Sequence, residues 1–411
     1  MGIGTDFVFR EKLKKRMKSI HCFLLLCIMV AGAVEKANGQ TDTSRPVKVA
    51  VFIPLYADAV FDSVSSSDEA DFPKKVLPGL EFYNGVMMAI DSLNHERAKA
   101  EISIYDTKQT NESLSALLKK PELNNVGLII AAITNTAELK MFADHALTNN
   151  IPFISATYPN YVGVTQNPFF VLLNSSFQAH LEGLYRYMQR YYSSNNIIAV
   201  TRKGATENYI KNYITGINTT GASAPLKIKW INADANNLSV SRLAAGLDST
   251  KKNVVFVASP LESFGLNIVK TISSKESYQT TAIGMPTWGG IKELDKPDCK
   301  NVEIVFSTPF LYYSQNISLS SLVNKRYKEK YYSRPSDMVF RGFEATYHFT
   351  KLLQKYKDSL ANNLSDTSFT LFNQFKLEPV KIRKTSVKPD FFENKKLYFI
   401  KKQEGNVKSV V

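Results

Sequence analysis

Cysteine is scarce in this 411-residue chain: there are three, and Cys22 and Cys27 both fall in an apolar stretch near the N-terminus. Past that stretch only Cys299 remains, so neither an intramolecular disulfide nor a cysteine-held metal cluster can form there. Such a lone thiol is expected to be buried and inert. Histidine is nearly as sparse. His95, His145, His180 and His348 are scattered, mostly in predicted helices, and none has metal-ligand spacing. No apolar run reaches the roughly 20 residues that a bilayer span needs. G-x-S-x-G, H-E-x-x-H, the P-loop and G-x-G-x-x-G are all missing, which removes the usual nucleophile elbow, zinc-hydrolase helix and phosphate cradles. No cofactor or metal is therefore expected, and no nucleophile–base pair points to catalysis.

What is present begins with a leader. Lys12, Lys14, Lys15, Arg16 and Lys18 precede the apolar run Cys22–Val34, and Ala37-Asn38-Gly39 supplies small residues for a signal peptidase. Residues 1–39 read as a cleaved secretory signal, with cleavage before Gln40. Met17 is an alternative start to Met1. His21 and Leu26 precede the two cysteines where a lipobox needs a small residue, so lipidation is not expected. The mature chain is expected to be periplasmic or secreted. The leader holds seven basic and three acidic residues, so its removal lowers the net charge from +14 to about +10. The remaining basic residues are spread out, with a mild cluster at 376–388. That describes a solvated basic surface or attraction to an acidic partner, and no motif supports nucleic-acid binding.

From Val47 onward, short apolar strands alternate with amphipathic helices. Strands are predicted at 47–55, 101–106, 126–133 and 151–156, with helices at 79–94, 112–119 and 136–149. In the first helix Leu80, Tyr83, Met87 and Ile90 form an apolar stripe. A second run has strands at 196–201, 226–232, 254–258, 280–285 and 302–306. Its helices are placed at 177–191, 207–217, 240–247 and 263–273. Late helices at 319–331 and 338–360 precede strands at 396–401 and 407–410. This alternation predicts an α/β protein of two doubly wound parallel-sheet lobes joined by a multi-strand hinge. Residues 158–173 read as the first passage between lobes, and 58–75 as an exposed insert. The predicted segments are 40–172 and 307–372 for the first lobe, and 173–306 and 373–411 for the second. Crossings are placed near 170–174, 306–310 and 372–377.

Five segments carry a family resemblance. The opening strand (VAVFIPL) ends in a proline, and Phe82–Leu93 reads FYNGVMMAIDSL. A strand–helix–strand unit at Val126–Ala156 ends in an N-I-P-x-I-S pattern. IGMPTW closes a strand at Ile283–Trp288, and Tyr327–Tyr347 reads YKEKYYSRPSDMVFRGFEATY. In this order the chain resembles type I periplasmic binding proteins, the fold of branched-chain amino-acid receptors of ABC transporters, and above all the receptor-like domains of Bacteroidetes-type bacteria. The resemblance spans nearly all of 47–410. It implies a cleft between lobes that closes on a small ligand. The amino-acid receptors carry an acid near the turn that here reads Met285-Pro286-Thr287-Trp288, and no acid stands there.

Ligands of such sheets sit beyond the carboxyl ends of strands, near helix N-termini. That rule selects Thr134, Asn135 and Thr136 after strand 126–133, and Ser155, Thr157 and Tyr158 after strand 151–156. On the second lobe it selects Glu207, Ser259, Thr287 and Trp288. Each has a plain structural alternative: capping for Thr134, Asn135 and Thr136, packing for Tyr158 and Trp288, and a helix-dipole role for Glu207 and Glu262. Asp106 reads equally as turn or cleft residue.

Three functions are compatible with these features. The first is a solute-binding protein taking an amino acid, peptide or cell-wall fragment, and serving an ABC-type membrane transporter or an envelope sensor. The second is a non-catalytic, peptidoglycan-associated regulator with a vestigial cleft. The third is a hydrolase using Glu207 or Glu262.

Overall fold

A computed structural model describes residues 45–58, 73–220, 224–233, 239–312, 317–383, 385–404 and 406–410. The expected leader and most of the expected insert lie outside them.

The first sheet is built from β1 (Val47–Ile53), β2 (Ala100–Asp106), β3 (Leu128–Ala131), β4 (Phe153–Ser155), β5 (Phe170–Leu172), β11 (Leu377–Val380) and β12 (Phe391–Asn394). Its order is β2-β1-β3-β4-β5-β12-β11. The second contains β6 (Asn196–Thr201), β7 (Ile228–Asn232), β8 (Asn253–Val257), β9 (Thr280–Gly284), β10 (Glu303–Thr308), β13 (Tyr398–Gln403) and β14 (Asn406–Val410), ordered β7-β6-β8-β9-β10-β13-β14. The two orders are nearly the same wiring used twice. Neighbours are parallel except at β11–β12, β10–β13 and β13–β14. The expected two doubly wound lobes are therefore present.

Each sheet is covered on both faces, which is why its central strands are apolar without alternation. Val49, Val51 and Ile53 of β1 enter one core cluster, and Ala50 and Phe52 enter another on the opposite face. In β6, Ile198 and Val200 face one cluster, Ile197 and Ala199 the other. Covering helices in the first lobe are α1 (Leu77–His95), α2 (Leu114–Leu117), α3 (Thr136–Asn149), α8 (Ile317–Tyr331) and α9 (Asp337–Tyr356). The second lobe has α4 (Phe177–Tyr192), α5 (Ala205–Thr220), α6 (Val240–Ala244) and α7 (Glu262–Ser273). In α1 the large or apolar side chains that are buried belong to Phe82, Val86, Ala89 and Leu93, with Gly79, Asn84 and Gly85 buried beside them. The expected stripe Leu80, Tyr83, Met87 and Ile90 is only half-buried. The helix is wedged between sheet and α9, so packing on two sides rotates the buried face away from the most apolar one.

Two sequence expectations need correction. Residues 158–173 are not purely a connection, because Phe170–Leu172 forms β5, paired with β4 in the first sheet. Residues 373–411 do not all return to the second lobe, since β11 and β12 extend the first sheet. The last passage thus runs from Asn394 to Tyr398, not through 372–377. A three-residue strand is too short for periodicity to reveal. β11 (LEPV) carries Pro379, which is tolerated because the strand lies at the sheet edge.

The chain leaves the first sheet at the carboxyl ends of β5 and β12, and returns from the carboxyl end of β10. Both sheets therefore turn their carboxyl ends toward one shared hinge. Buried polar groups tie the crossings together. Ser175 Oγ donates to the Asn394 carbonyl (2.6 Å), and Ser176 N donates to Glu393 Oε1 (2.7 Å). Asn394 Oδ1 accepts from Lys376 N and Lys396 N, both at 3.1 Å. Glu344 of α9 accepts from Phe372 N (2.7 Å), Asn373 N (2.6 Å) and Asn373 Nδ2 (2.6 Å), while Asn373 Oδ1 accepts from Leu311 N (2.6 Å). Burial pushes the Glu344 carboxyl up to about 7. A buried polar group held by several partners fixes one geometry, because any other leaves donors unpaired.

Candidate ligand-binding cleft

In a doubly wound sheet the strand order reverses at one point, and the crevice at that point is where ligands bind. It lies between β1 and β3 in the first sheet and between β6 and β8 in the second.

On the first lobe, Asp106 closes β2 as a turn residue. Its carboxylate accepts from Leu55 N (2.9 Å), Tyr56 N (3.3 Å), Ala57 N (2.9 Å) and Lys108 N (2.8 Å). This pins the loop after β1, where Tyr56 has φ 54°. Lys108 forms an ion pair with Glu138 in the first turn of α3. The other Glu138 oxygen accepts from Thr134 N (3.2 Å) and Thr134 Oγ1 (2.9 Å). Asn135 Oδ1 caps α3 by accepting from Glu138 N (3.0 Å). Thr134, Asn135 and Thr136 stay exposed above this network. Capping by Asn135 and exposure at the crevice therefore coexist. Thr157 Oγ1 donates to the Ile133 carbonyl (2.9 Å), tying the loops after β3 and β4 together. Tyr158 is half-buried and packs on the core. Ser155 is fully buried, and its hydroxyl has no hydrogen-bond partner among the described residues, so it lies beneath the crevice floor.

On the second lobe, Glu207 stands in the first turn of α5, 5% exposed. It accepts from Ser259 Oγ (2.6 Å) after β8 and pairs with Arg202 (3.5 Å) after β6. This places an arginine, a carboxylate and a hydroxyl at the switch point. Thr287 is exposed and donates to the Pro260 carbonyl (3.0 Å).

Trp288 is not a cleft wall. It is fully buried in the second lobe's core, lying against Gly284 and Gly265. The turn after β9 folds its largest side chain inward and leaves Thr287 outside.

Lys108, Glu138 and Arg202 were missed by sequence reasoning. Glu138 had a signal, since Asn135-x-x-Glu138 has capping-box spacing. The two cations stand within two residues of their strand ends, a position that also suits any solvated loop.

Among the described residues, no group of three or more His, Cys, Asp and Glu side chains could hold a metal ion. His180 is buried beside Ser307 (2.8 Å), and burial lowers its pKa to about 3. Cys299 is buried, which pushes its thiol up. No helix among the described residues is long and apolar enough to cross a membrane.

No protein-family model matches the chain, and no curated protein does. Solved structures do. A protein of Rhodospirillum rubrum assigned to branched-chain amino-acid ABC transport superposes with a TM-score of 0.63 at 11% identity, over 89% of this chain and 100% of that one. The chain has the type I periplasmic-binding-protein fold. An ABC transporter substrate-binding protein of Desulfitobacterium hafniense in complex with leucine shares that fold at 12% identity and a TM-score of 0.55, over 89% and 100% of the two chains. A branched-chain amino-acid substrate-binding protein of Streptococcus pneumoniae in complex with isoleucine gives 11% and 0.51, over 89% and 99%. At these identities the likeness is one of fold. Within the type I periplasmic-binding-protein fold, the polar rims described above occupy the carboxyl ends of both sheets.

Proposed function

We propose that this is an exported solute-binding protein that captures a small ligand between its two lobes and delivers it to an ABC-type transporter or an envelope sensor. The observation that carries the proposal is topological: three crossings join the carboxyl ends of both sheets, so both order-reversal points open toward one hinge. Exposed Thr134, Asn135, Thr136 and Thr287 supply neutral hydrogen-bonding groups there. Lys108 and Arg202 add positive charge, each countered by a glutamate. Such rims suit a polar ligand carrying a carboxylate, as amino acids, peptides and cell-wall fragments do. The proposal involves no chemical change of the ligand.

Native mass spectrometry of the mature protein against those three ligand classes tests this. A one-to-one complex is expected. Thr134→Val and Thr287→Val should each weaken it by about tenfold, on the order of 1.4 kcal/mol. The melting temperature should fall only slightly, since each variant loses one hydroxyl hydrogen bond at an exposed residue. Absence of any complex, or both variants binding as the parent does, would overturn the proposal.

A further inference from the structure

A cavity of about 350 Å³ lies between α4 of the second lobe and the β11 edge of the first, beside the third crossing. It is separate from the crevice described above, since β4, β5 and β12 stand between the β1–β3 switch point and β11. Its floor is apolar: Tyr187 and Phe399 stack at 4.3 Å, and Leu397 lies over Gly183.

The rim is cationic. Arg186 and Arg190 come from α4, Lys376 from the residue just before β11, and Lys395 and Lys396 from the crossing. Three of the five are matched by carboxylates: Arg186 by Glu182 (2.5 Å), Lys376 by Glu378 (2.6 Å) and Lys395 by Glu393. Arg190 and Lys396 pair with no carboxylate among the described residues. The Arg190 guanidinium sits over the Tyr191 ring (5.3 Å), and the Lys396 ammonium sits over the Tyr398 ring (5.2 Å). Two cations without a counter-charge, above an aromatic floor, complement an anionic head on an apolar body. We propose that this cavity is a second binding site, for a small organic anion of the aryl phosphate or aryl carboxylate kind. The anion is held by Arg190 and Lys396, and its body rests on Tyr187, Leu397 and Phe399.

Phenyl phosphate is a suitable probe, with inorganic phosphate and phenol as controls for head and body alone. Calorimetric titration of the full mature protein should show saturable one-to-one binding of phenyl phosphate and weaker binding of both controls. The double variant Arg190→Gln/Lys396→Gln should weaken it about tenfold or more, because two charge-assisted contacts are lost. Its melting temperature should match the parent's, since neither side chain is ion-paired. Thr134→Val and Thr287→Val should leave this binding unchanged, which separates the site from the cleft. No saturable binding, or equal affinity in the double variant, would overturn the inference. So would binding lost in the threonine variants instead, which would put the anion in the cleft.

Discussion

Gly85→Ala will destabilise the protein by more than about 3 kcal/mol, and Gly342→Ala will do the same. The two glycines are where α1 and α9 touch. A Cβ on Gly85 would stand 2.0 Å from the Val339 carbonyl oxygen and 2.8 Å from Phe343 N. A Cβ on Gly342 would stand 2.2 Å from the Phe82 carbonyl oxygen. The obstructing atoms are helix backbone, so no rotamer change relieves the overlap. The helices would have to separate, opening the core that Phe82, Val86, Phe340 and Phe343 fill. Gly216→Ala is the control, because nothing lies within 4 Å of its would-be Cβ. There alanine should be neutral or stabilise by roughly 0.5–1 kcal/mol, as mid-helix glycine is entropically costly. Urea denaturation of the three variants decides. A Gly85→Ala protein as stable as the Gly216→Ala one would mean that the two helices are not in backbone contact.

Trp288→Ala is expected to cost about 4 kcal/mol in the second lobe and to leave ligand affinity of the folded protein unchanged. Removing a fully buried indole loses its transfer free energy and leaves a cavity, typically about 3–5 kcal/mol in all. The ring lies flat on two glycines: a Cβ on Gly284 would fall 2.0 Å from it, and one on Gly265 2.4 Å. Neither small neighbour has a side chain that can move in to fill the space. The indole Nε1 has no hydrogen-bond partner among the described residues. Trp288→Phe therefore keeps most of the ring volume, removes an unpaired polar atom, and should cost less than half as much. Thermal melts alongside ligand titrations separate the possibilities. A Trp288→Ala protein that melts like the parent but binds weakly would put the indole in the cleft.

Trp288 also shows where sequence reading stops. The rule that ligands gather beyond strand ends selected the right turn, but not which of two adjacent residues faces out. That depends on Gly284 and Gly265, which lie four residues before and 23 residues before the tryptophan and become its neighbours only after folding. The two lobes were legible because long runs such as Val254–Val257 have no polar alternation and helices recur between them. Asn135 was legible as a helix start because capping is local. The hinge was not. Phe170–Leu172 and Leu377–Val380 are short strands with no periodicity, and the pairing that joins the two parts of the first sheet, Val171 with Phe392, links residues far apart in sequence. Glu344, Asn373, Glu393 and Asn394 read as surface residues by type, yet all four are buried where the crossings meet. Lys108–Glu138 and Arg202–Glu207–Ser259 likewise needed the fold, since two of their three pairings, Lys108–Glu138 and Glu207–Ser259, are long-range and join different strand ends.

Small-angle X-ray scattering of the mature protein, with and without saturating ligand from the binding screen, tests capture between the lobes most directly. Three crossings tied by buried hydrogen bonds allow the lobes to move as rigid bodies about one hinge. A ligand touching both rims favours the closed arrangement by its difference in affinity for the two states. The radius of gyration should fall on saturation, and Thr134→Val with Thr287→Val should shift that change to higher ligand concentration. An unchanged radius of gyration with the ligand fully bound would show that the solute is not held between the lobes.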